Sequence, residues 1–272
     1  MRSRPLLASL ASMGAEALAL ARQASLLHRD VERPVLPARS DHDDVVILLH
    51  GLFATAGVLR PLRRALERAP HVGTATLSYP PGPGVEALAA RLDALCDELF
   101  DAGLGRETRL HLVGHSLGGI VCRHFAQTRT HLPVAQTISL ASPFAGVRRA
   151  ELLSLGGRLE GARDLAEDSP VLRALRLSPC RVPHLSIVAH DDVLLGSPLS
   201  HALPGGEVVL LRGRGHNALL FDDEVASLVH DRVLGFSRRF EPLARLEVSM
   251  FEALARLERD PPGGATGDGS ST

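Results

Sequence analysis

The segment Leu110-His111-Leu112-Val113-Gly114-His115-Ser116-Leu117-Gly118-Gly119 constrains this chain more than any other. An apolar run with strand character stops at the first glycine, and Ile120, Val121, Phe125 and Ala126 then recur with the spacing of a buried helical face. A strand must therefore pass straight into a helix through a turn centred on Ser116. Glycines two before and two after the serine suit that turn, because a Cβ there would collide with the neighbouring strand and helix. The turn lifts the serine Oγ above the sheet and aims the N–H of Leu117 at whatever the oxygen attacks.

A G-x-S-x-G string also arises by chance, so its weight depends on partners elsewhere. A free serine hydroxyl is a poor nucleophile at neutral pH. An imidazole must take its proton, and a carboxylate must fix the tautomer of that imidazole. Strand-like His184 to Ala189 runs into His190-Asp191-Asp192, where a carboxylate lies just past a strand's carboxyl end, the place where open α/β sheets gather their sites. Strand-like Glu207 to Leu211 then leads to Gly213-Arg214-Gly215-His216-Asn217.

With thirteen histidines in the chain, a lone histidine says little. His50, His115, His184, His190 and His201 read equally well as core or loop residues, and His71, His131 and His230 as surface. His216 differs in standing between a glycine-rich turn and a helix start, directly after a strong strand, and is the expected base. Asp191, the earlier of the two aspartates beyond the strand, is the expected acid. Asp192 is its rival, with capping of the following turn as its simpler reading.

Val45 to Leu49 reads as a buried strand running into His50-Gly51-Leu52-Phe53-Ala54. The glycine permits a sharp turn, so the Leu52 N–H can join that of Leu117 in facing a developing oxyanion. Loss of one such donor costs about 3 kcal/mol of transition-state stabilisation. Main-chain donors leave the side chains free, and Leu52, Phe53 and Leu117 are expected at the mouth of an acyl pocket.

The chain here resembles the α/β hydrolases of the bacterial lipase and esterase type, including small triacylglycerol lipases and deacylase-like lipases. The resemblance rests on His50-Gly51-Leu52, the elbow from Gly114 to Gly119, Ser142-Pro143-Phe144-Ala145-Gly146, and the base loop from Gly213 to Phe221. Phe144 stands where such lipases commonly carry a histidine, which adds apolar surface and makes Phe144 a second pocket candidate. The likeness spans roughly Val45 to Gly235 and is specific for the superfamily, not for a substrate. It implies the triad Ser116, Asp191 and His216 in the order serine, acid, histidine.

Strand and helix signals alternate in the way that builds a mostly parallel sheet with helices on both faces, an α/β fold of at least six strands. Val72 to Leu77 and Val134 to Leu140 supply further strands, and Val58 to Arg68 and Val85 to Phe100 supply helices. The turn Tyr79-Pro80-Pro81-Gly82-Pro83-Gly84 fits neither element. The hydrolase domain is expected over 40–260, with a cap of short helices at about 147–183, where charges interleave with leucines.

Two amphipathic helices flank this domain. Within residues 1–30, Leu6, Leu10, Met13, Ala17, Leu20, Ala24 and Leu27 recur at steps of four and three. The open readings are a helix docked on the domain or on a partner, a membrane-surface anchor, and a secretory signal; Glu16 interrupts the apolar run and the stretch is too short to span a bilayer. Pro242 begins a second such helix carrying Leu243, Leu246, Met250, Leu254 and Leu257, and 261–272 reads as a flexible tail.

The remaining composition narrows partners and cofactors. A length of 272 residues suits one domain with a sizeable core, and a net charge of −1 implies no long-range attraction to nucleic acid or an anionic membrane. Cys96, Cys122 and Cys180 fit no disulfide, zinc or redox spacing and read as packing residues. The acidic run from Asp41 to Asp44 reads as a solvated loop rather than a metal site.

The expected activity is hydrolysis of a small-molecule or lipid carboxylic ester through an acyl-serine intermediate. Every role is filled by protein groups, so no metal or organic cofactor is expected. Thioester hydrolysis or acyl transfer could use the same triad, and a catalytically silent hydrolase-fold binding protein is the reading from a different class.

Overall fold

The computed structural model describes residues 3–38, 41–148, 150, 158–179, 181–195 and 197–237. Its strands are β1 (Asp44–Leu49), β2 (Val72–Thr76), β3 (Arg109–His115), β4 (Val134–Leu140), β5 (His184–Ala189) and β6 (Glu207–Leu211). They form one six-stranded sheet in the order β2-β1-β3-β4-β5-β6, with every neighbouring pair parallel. β1 and β5 are buried at every residue, which is why DVVILL and HLSIVA carry no clean alternation of polar and apolar positions.

The helices are α1 (Ser3–Leu26), α2 (Arg60–Leu66), α3 (Val85–Asp101), α4 (Leu117–Thr128), α5 (Glu160–Asp164), α6 (Pro170–Leu177) and α7 (Asp223–Ser237). α3 and α4 cover one face, where Leu88, Leu92, Ile120 and Phe125 pack with Val45, Ile47, Leu110 and Leu112. α2 and α7 cover the other, where Leu62, Leu66, Val225 and Val229 pack with Val46, Leu48, Ile138 and Ile187. Burial of these side chains, at about 25 cal/mol per Å² of apolar surface, drives the layered arrangement.

Strand order locates the site. β1 has β2 on one side and β3 on the other, with Leu49 opposite Gly114 at their carboxyl ends. The chain thus leaves β1 and β3 in different directions, opening a crevice at the topological switch point. His50-Gly51-Leu52 and Ser116 sit there.

The expected cap is fastened rather than free in its described parts. Gly161 N–H donates to the Gly82 carbonyl (3.2 Å), and Asp164 Oδ2 accepts the Val85 N–H (2.7 Å) at the start of α3. A Cβ on Gly161 would lie 3.2 Å from Leu117 Cδ2, so α5 borders the elbow. In α6, Ser169 caps the N-terminus by accepting the Leu172 N–H (3.2 Å), and Leu172 and Leu175 join the core. Glu151, Leu152 and Leu153 lie outside the described residues.

Two expectations are corrected. The acidic run is a solvated loop only at Asp41 and Asp43, which are exposed: Asp44 is fully buried as the first residue of β1, takes both Arg109 Nε (2.7 Å) and Nη2 (2.9 Å), and meets His111 Nε2 at 2.8 Å. α1 also turns a different face inward from the one its apolar spacing marks. Ser12 and Ala19 are buried and Glu16 is half-buried, while Met13 is 60% and Leu20 49% exposed. Specific polar contacts of Glu16, described below, help to set that face.

Cys96 and Cys122 are buried packing residues, as expected; burial pushes the Cys96 thiol up to about 12. Cys180 lies outside the described residues, as does the unit Pro242–Thr272 with its expected helix and tail. Among the described residues, no helix is long and apolar enough to cross a membrane.

Candidate active site

Ser116 occupies φ 53° and ψ −122°, a left-handed conformation for a side chain that normally avoids it. Holding such a residue costs about 1–3 kcal/mol, which the surroundings must supply. Its N–H donates to the Leu140 carbonyl (2.9 Å) and its carbonyl accepts the Gly119 N–H (3.1 Å). The flanking glycines are required by close approach. A Cβ on Gly114 would overlap the backbone of Gly118, one on Gly118 would lie 2.6 Å from the His50 carbonyl oxygen, and one on Gly119 would lie 2.9 Å from Ser139 Cβ.

Leu117 is the first residue of α4, so its N–H has no intrahelical acceptor and faces outward from the helix end. Gly51 lies directly against Ser116, since a Cβ there would stand 3.0 Å from Ser116 Cβ. The turn carrying Leu52 thereby reaches the serine. His50 and Tyr79 lock it: the Tyr79 N–H donates to His50 Nε2 (3.1 Å), His50 Nδ1–H donates to the Gly51 carbonyl (2.8 Å), the Tyr79 hydroxyl donates to the His50 carbonyl, and the two rings stack at 3.8 Å. Burial lowers the His50 pKa to about 4, against the opposing bond to Gly51, so the ring is neutral and Nε2 is free to accept. Tyr79, the only tyrosine, reads in the sequence only as the first residue of a proline-rich turn, and no local pattern there signals its contact with His50.

His216 is buried, and its Nδ1 lies 2.6 Å from Asp192 Oδ2. An ionised carboxylate only accepts, so Nδ1 carries the proton and Nε2 is left basic. Asp192 Oδ1 accepts the N–H groups of Leu194 (2.8 Å) and Leu195 (3.0 Å), and buried His201 approaches Oδ2 at 3.7 Å. Burial pushes the Asp192 pKa up, but the His216 hydrogen bond and the nearby histidines outweigh it and hold the carboxyl below its ordinary value. Burial takes His201 down to about 4.

Asp191 does not meet His216. Its Oδ2 accepts the Gly213 N–H (2.6 Å) and its Oδ1 lies 2.7 Å from His190 Nδ1. This corrects the expected acid: Asp191 fastens the exit of β5 to the loop after β6, while Asp192 both caps its own turn and reaches the imidazole. The two roles weighed as alternatives for Asp192 are compatible because a carboxylate has two oxygens.

The elbow and the base loop are joined through His115, whose Nε2 donates to the His216 carbonyl (3.1 Å) and whose ring meets that of His216 edge-on at 4.8 Å. Burial lowers the His115 pKa to about 3, ahead of the His216 charge, so this ring also stays neutral.

A small surface recess next to the elbow is lined by Gly51, Leu52, Phe53, Tyr79, the Pro80–Pro83 turn and Leu117. Phe53 is half exposed there at φ 60°. Phe144 is absent from the recess: it is fully buried, meets His184 edge-on at 5.2 Å, and belongs to the core. That corrects its expected pocket role, since the extra apolar surface is spent on packing.

The family model of palmitoyl protein thioesterases matches residues 46–175, a span that includes the His50–Leu52 turn and the elbow and ends before Asp192 and His216. No curated protein matches at a significant level. Among solved structures, the mature lipase BlEst2 of Bacillus licheniformis aligns at 16% identity and TM-score 0.60, over 75% of this chain and 98% of its own. Monoacylglycerol lipase of Paleococcus ferrophilus aligns at 16% and 0.57, over 75% and 97%. The esterase of Pyrobaculum calidifontis aligns at 15% and 0.56, over 85% and 93%. The parallel sheet, the strained serine at its switch point and these alignments together show that the chain has the α/β-hydrolase fold, in the arrangement shared by these lipases and esterases.

Proposed function

We propose that this protein is a serine hydrolase that cleaves acyl esters through an acyl-serine intermediate. The observation that carries the reading is the 2.6 Å contact of His216 Nδ1 with buried Asp192, on a loop tied through His115 to the strained elbow of Ser116. Ser116 Oγ attacks the carbonyl carbon as His216 Nε2 takes its proton. The Leu52 and Leu117 N–H groups receive the oxyanion, and the imidazolium, stabilised by Asp192, returns the proton to the leaving group. Water then repeats the sequence on the acyl-enzyme, releasing the acid and free serine.

The match to the palmitoyl protein thioesterase model favours a second reading, in which the bond cleaved is a thioester. The same groups serve, with a thiolate leaving more readily than an alkoxide. The residue types around the recess, Leu52, Phe53, Leu117 and three prolines, favour an apolar acyl group in either case.

Labelling with a fluorophosphonate tests the mechanism: wild type is expected to label and Ser116→Ala to remain blank. A folded wild type that fails to label overturns the reading. Parallel assays of nitrophenyl esters and acyl thioesters of matched chain length then separate the two leaving groups.

A further inference from the structure

The base loop is gripped from outside the hydrolase core by one side chain. Glu16, midway along α1, receives the Asn217 N–H on Oε1 (3.0 Å) and Oε2 (3.1 Å), Asn217 Nδ2 on Oε1 (2.7 Å), and the Ala218 N–H on Oε2 (3.1 Å). These donors belong to the two residues that follow His216. On the other side, a Cβ on Gly215 would overlap Glu16 Oε2 and lie 3.0 Å from its Cδ. Gly215 has no left-handed φ that would demand glycine, so the space taken by Glu16 is what excludes a side chain there.

The same helix is anchored a second time, beside the oxyanion turn. Thr55 Oγ1 donates to the Leu27 carbonyl (3.0 Å), and a Cβ on Gly57 would overlap the Leu26 carbonyl oxygen. α1 thus spans from the segment behind Leu52 to the backbone on both sides of His216. Met13 and Leu20 are left outward, so along the described part of the helix the polar grip of Glu16 acts together with the packing of Ala19, Leu26 and Leu27.

We propose that Glu16 is a positioning residue for the catalytic base: its carboxylate, carried by the N-terminal helix, fixes the main chain of Gly215–Ala218 and thereby holds the His216 ring between Asp192 and Ser116. This rests on the serine-hydrolase reading above. The loop supplies several N–H donors to one acceptor group, and without it the backbone carrying His216 turns to water for partners and loses its fixed geometry. A displacement of about 1 Å in a catalytic group can cost on the order of 100-fold in rate.

The test uses the full chain and a short-chain nitrophenyl ester, at a temperature where each variant is folded by circular dichroism. Glu16→Ala is expected to lower kcat by about 10- to 100-fold with KM within about twofold of wild type. Glu16→Gln, which keeps one acceptor oxygen but turns an NH2 toward the loop donors, is expected to fall between. Gly215→Ala, which displaces the carboxylate from the other side, should lower kcat in the wild-type background and cost little more once Glu16→Ala has cleared the space. A folded Glu16→Ala with kcat within about twofold of wild type overturns the proposal, as does strict additivity of the two substitutions. If Glu16→Ala does not fold, unchanged kcat in both Glu16→Gln and Gly215→Ala overturns it. Failure of wild type to label with fluorophosphonate is a different result: it defeats the hydrolase reading, and the positioning role falls with it.

Discussion

Asp192 and His216 are joined by a 2.6 Å contact between buried groups, and the aspartate's other oxygen is occupied by the N–H groups of Leu194 and Leu195. The carboxylate cannot rotate away from the imidazole without abandoning its own turn, so its orientation toward His216 is fixed by the fold. Asp191, its neighbour, is half-buried and engaged with Gly213 and His190.

Substitution separates the two aspartates. Asp192→Asn is expected to lower kcat by about 10⁴-fold, because an amide NH2 opposite Nδ1 favours the wrong tautomer. Asp191→Asn should stay within about tenfold of wild type, losing one loop contact. Steady-state kinetics on any accepted ester decides, and the reverse ranking would return the acid role to Asp191.

Tyr79→Phe removes the donor to the His50 carbonyl but keeps the ring stacked on His50. An orphaned buried acceptor costs about 1–3 kcal/mol, so the urea midpoint should fall. Loosening the turn that carries Leu52 should also lower kcat several-fold at nearly constant KM. Unaltered kcat would show that His50 holds the turn without the hydroxyl.

The two phenylalanines proposed for the pocket should respond in opposite ways. Phe144→Ala is expected to destabilise the protein by about 3–5 kcal/mol, as for a buried core aromatic, and to leave the order of preference among acyl chain lengths intact. Phe53→Ala, at a half-exposed position in the recess, should barely move the melting temperature while altering that order. A chain-length series of nitrophenyl esters with thermal melts of both variants distinguishes them.

Acid should weaken the fold before it protonates the carboxylates. Burial takes His50 and His201 to about 4, and His115 and His184 to about 3, so each is neutral in the folded chain. In the unfolded chain each takes up a proton near pH 6.5. Stability from these groups is therefore complete above about pH 6.5 and is lost as pH falls toward 4 and then 3, at about 1.4 kcal/mol per pH unit for each group. The depressed pKa of Asp192 adds further loss only below its ordinary value of 3.8. Urea midpoints measured from pH 7.5 to 5 should decline steadily, and His184→Gln should flatten the slope by about one proton; a level profile would contradict neutral burial.

The centre of the sheet was legible because a parallel strand buried on both faces tends to a continuous apolar run, as in Val45–Leu49, while the edge strand Glu207–Leu211 was legible from its β-branched and leucine residues between a glycine pair and a glycine turn. Ser116 was legible because its turn leaves no room for a Cβ at Gly114 or Gly118, a requirement that writes glycines into the chain itself. His216 was legible from its place between a glycine turn and a helix start. The choice between Asp191 and Asp192 was not, since adjacent residues differ in where their side chains point, and that depends on which donors the folded turn presents.

The sequence by itself determined the α/β layering and the elbow, and set Ser116, the aspartate pair and His216 just beyond three separate strands, because those follow from periodicity and from steric demands between near neighbours. Only the tertiary structure decided which aspartate reaches His216, that Phe144 packs inward, that Tyr79 holds His50, and that Glu16 grips the loop about 200 residues farther along the chain. The physical reason is the same in each case. A polar or aromatic group is directed by the partner it meets in space, and a partner far away in the chain leaves no local pattern around it.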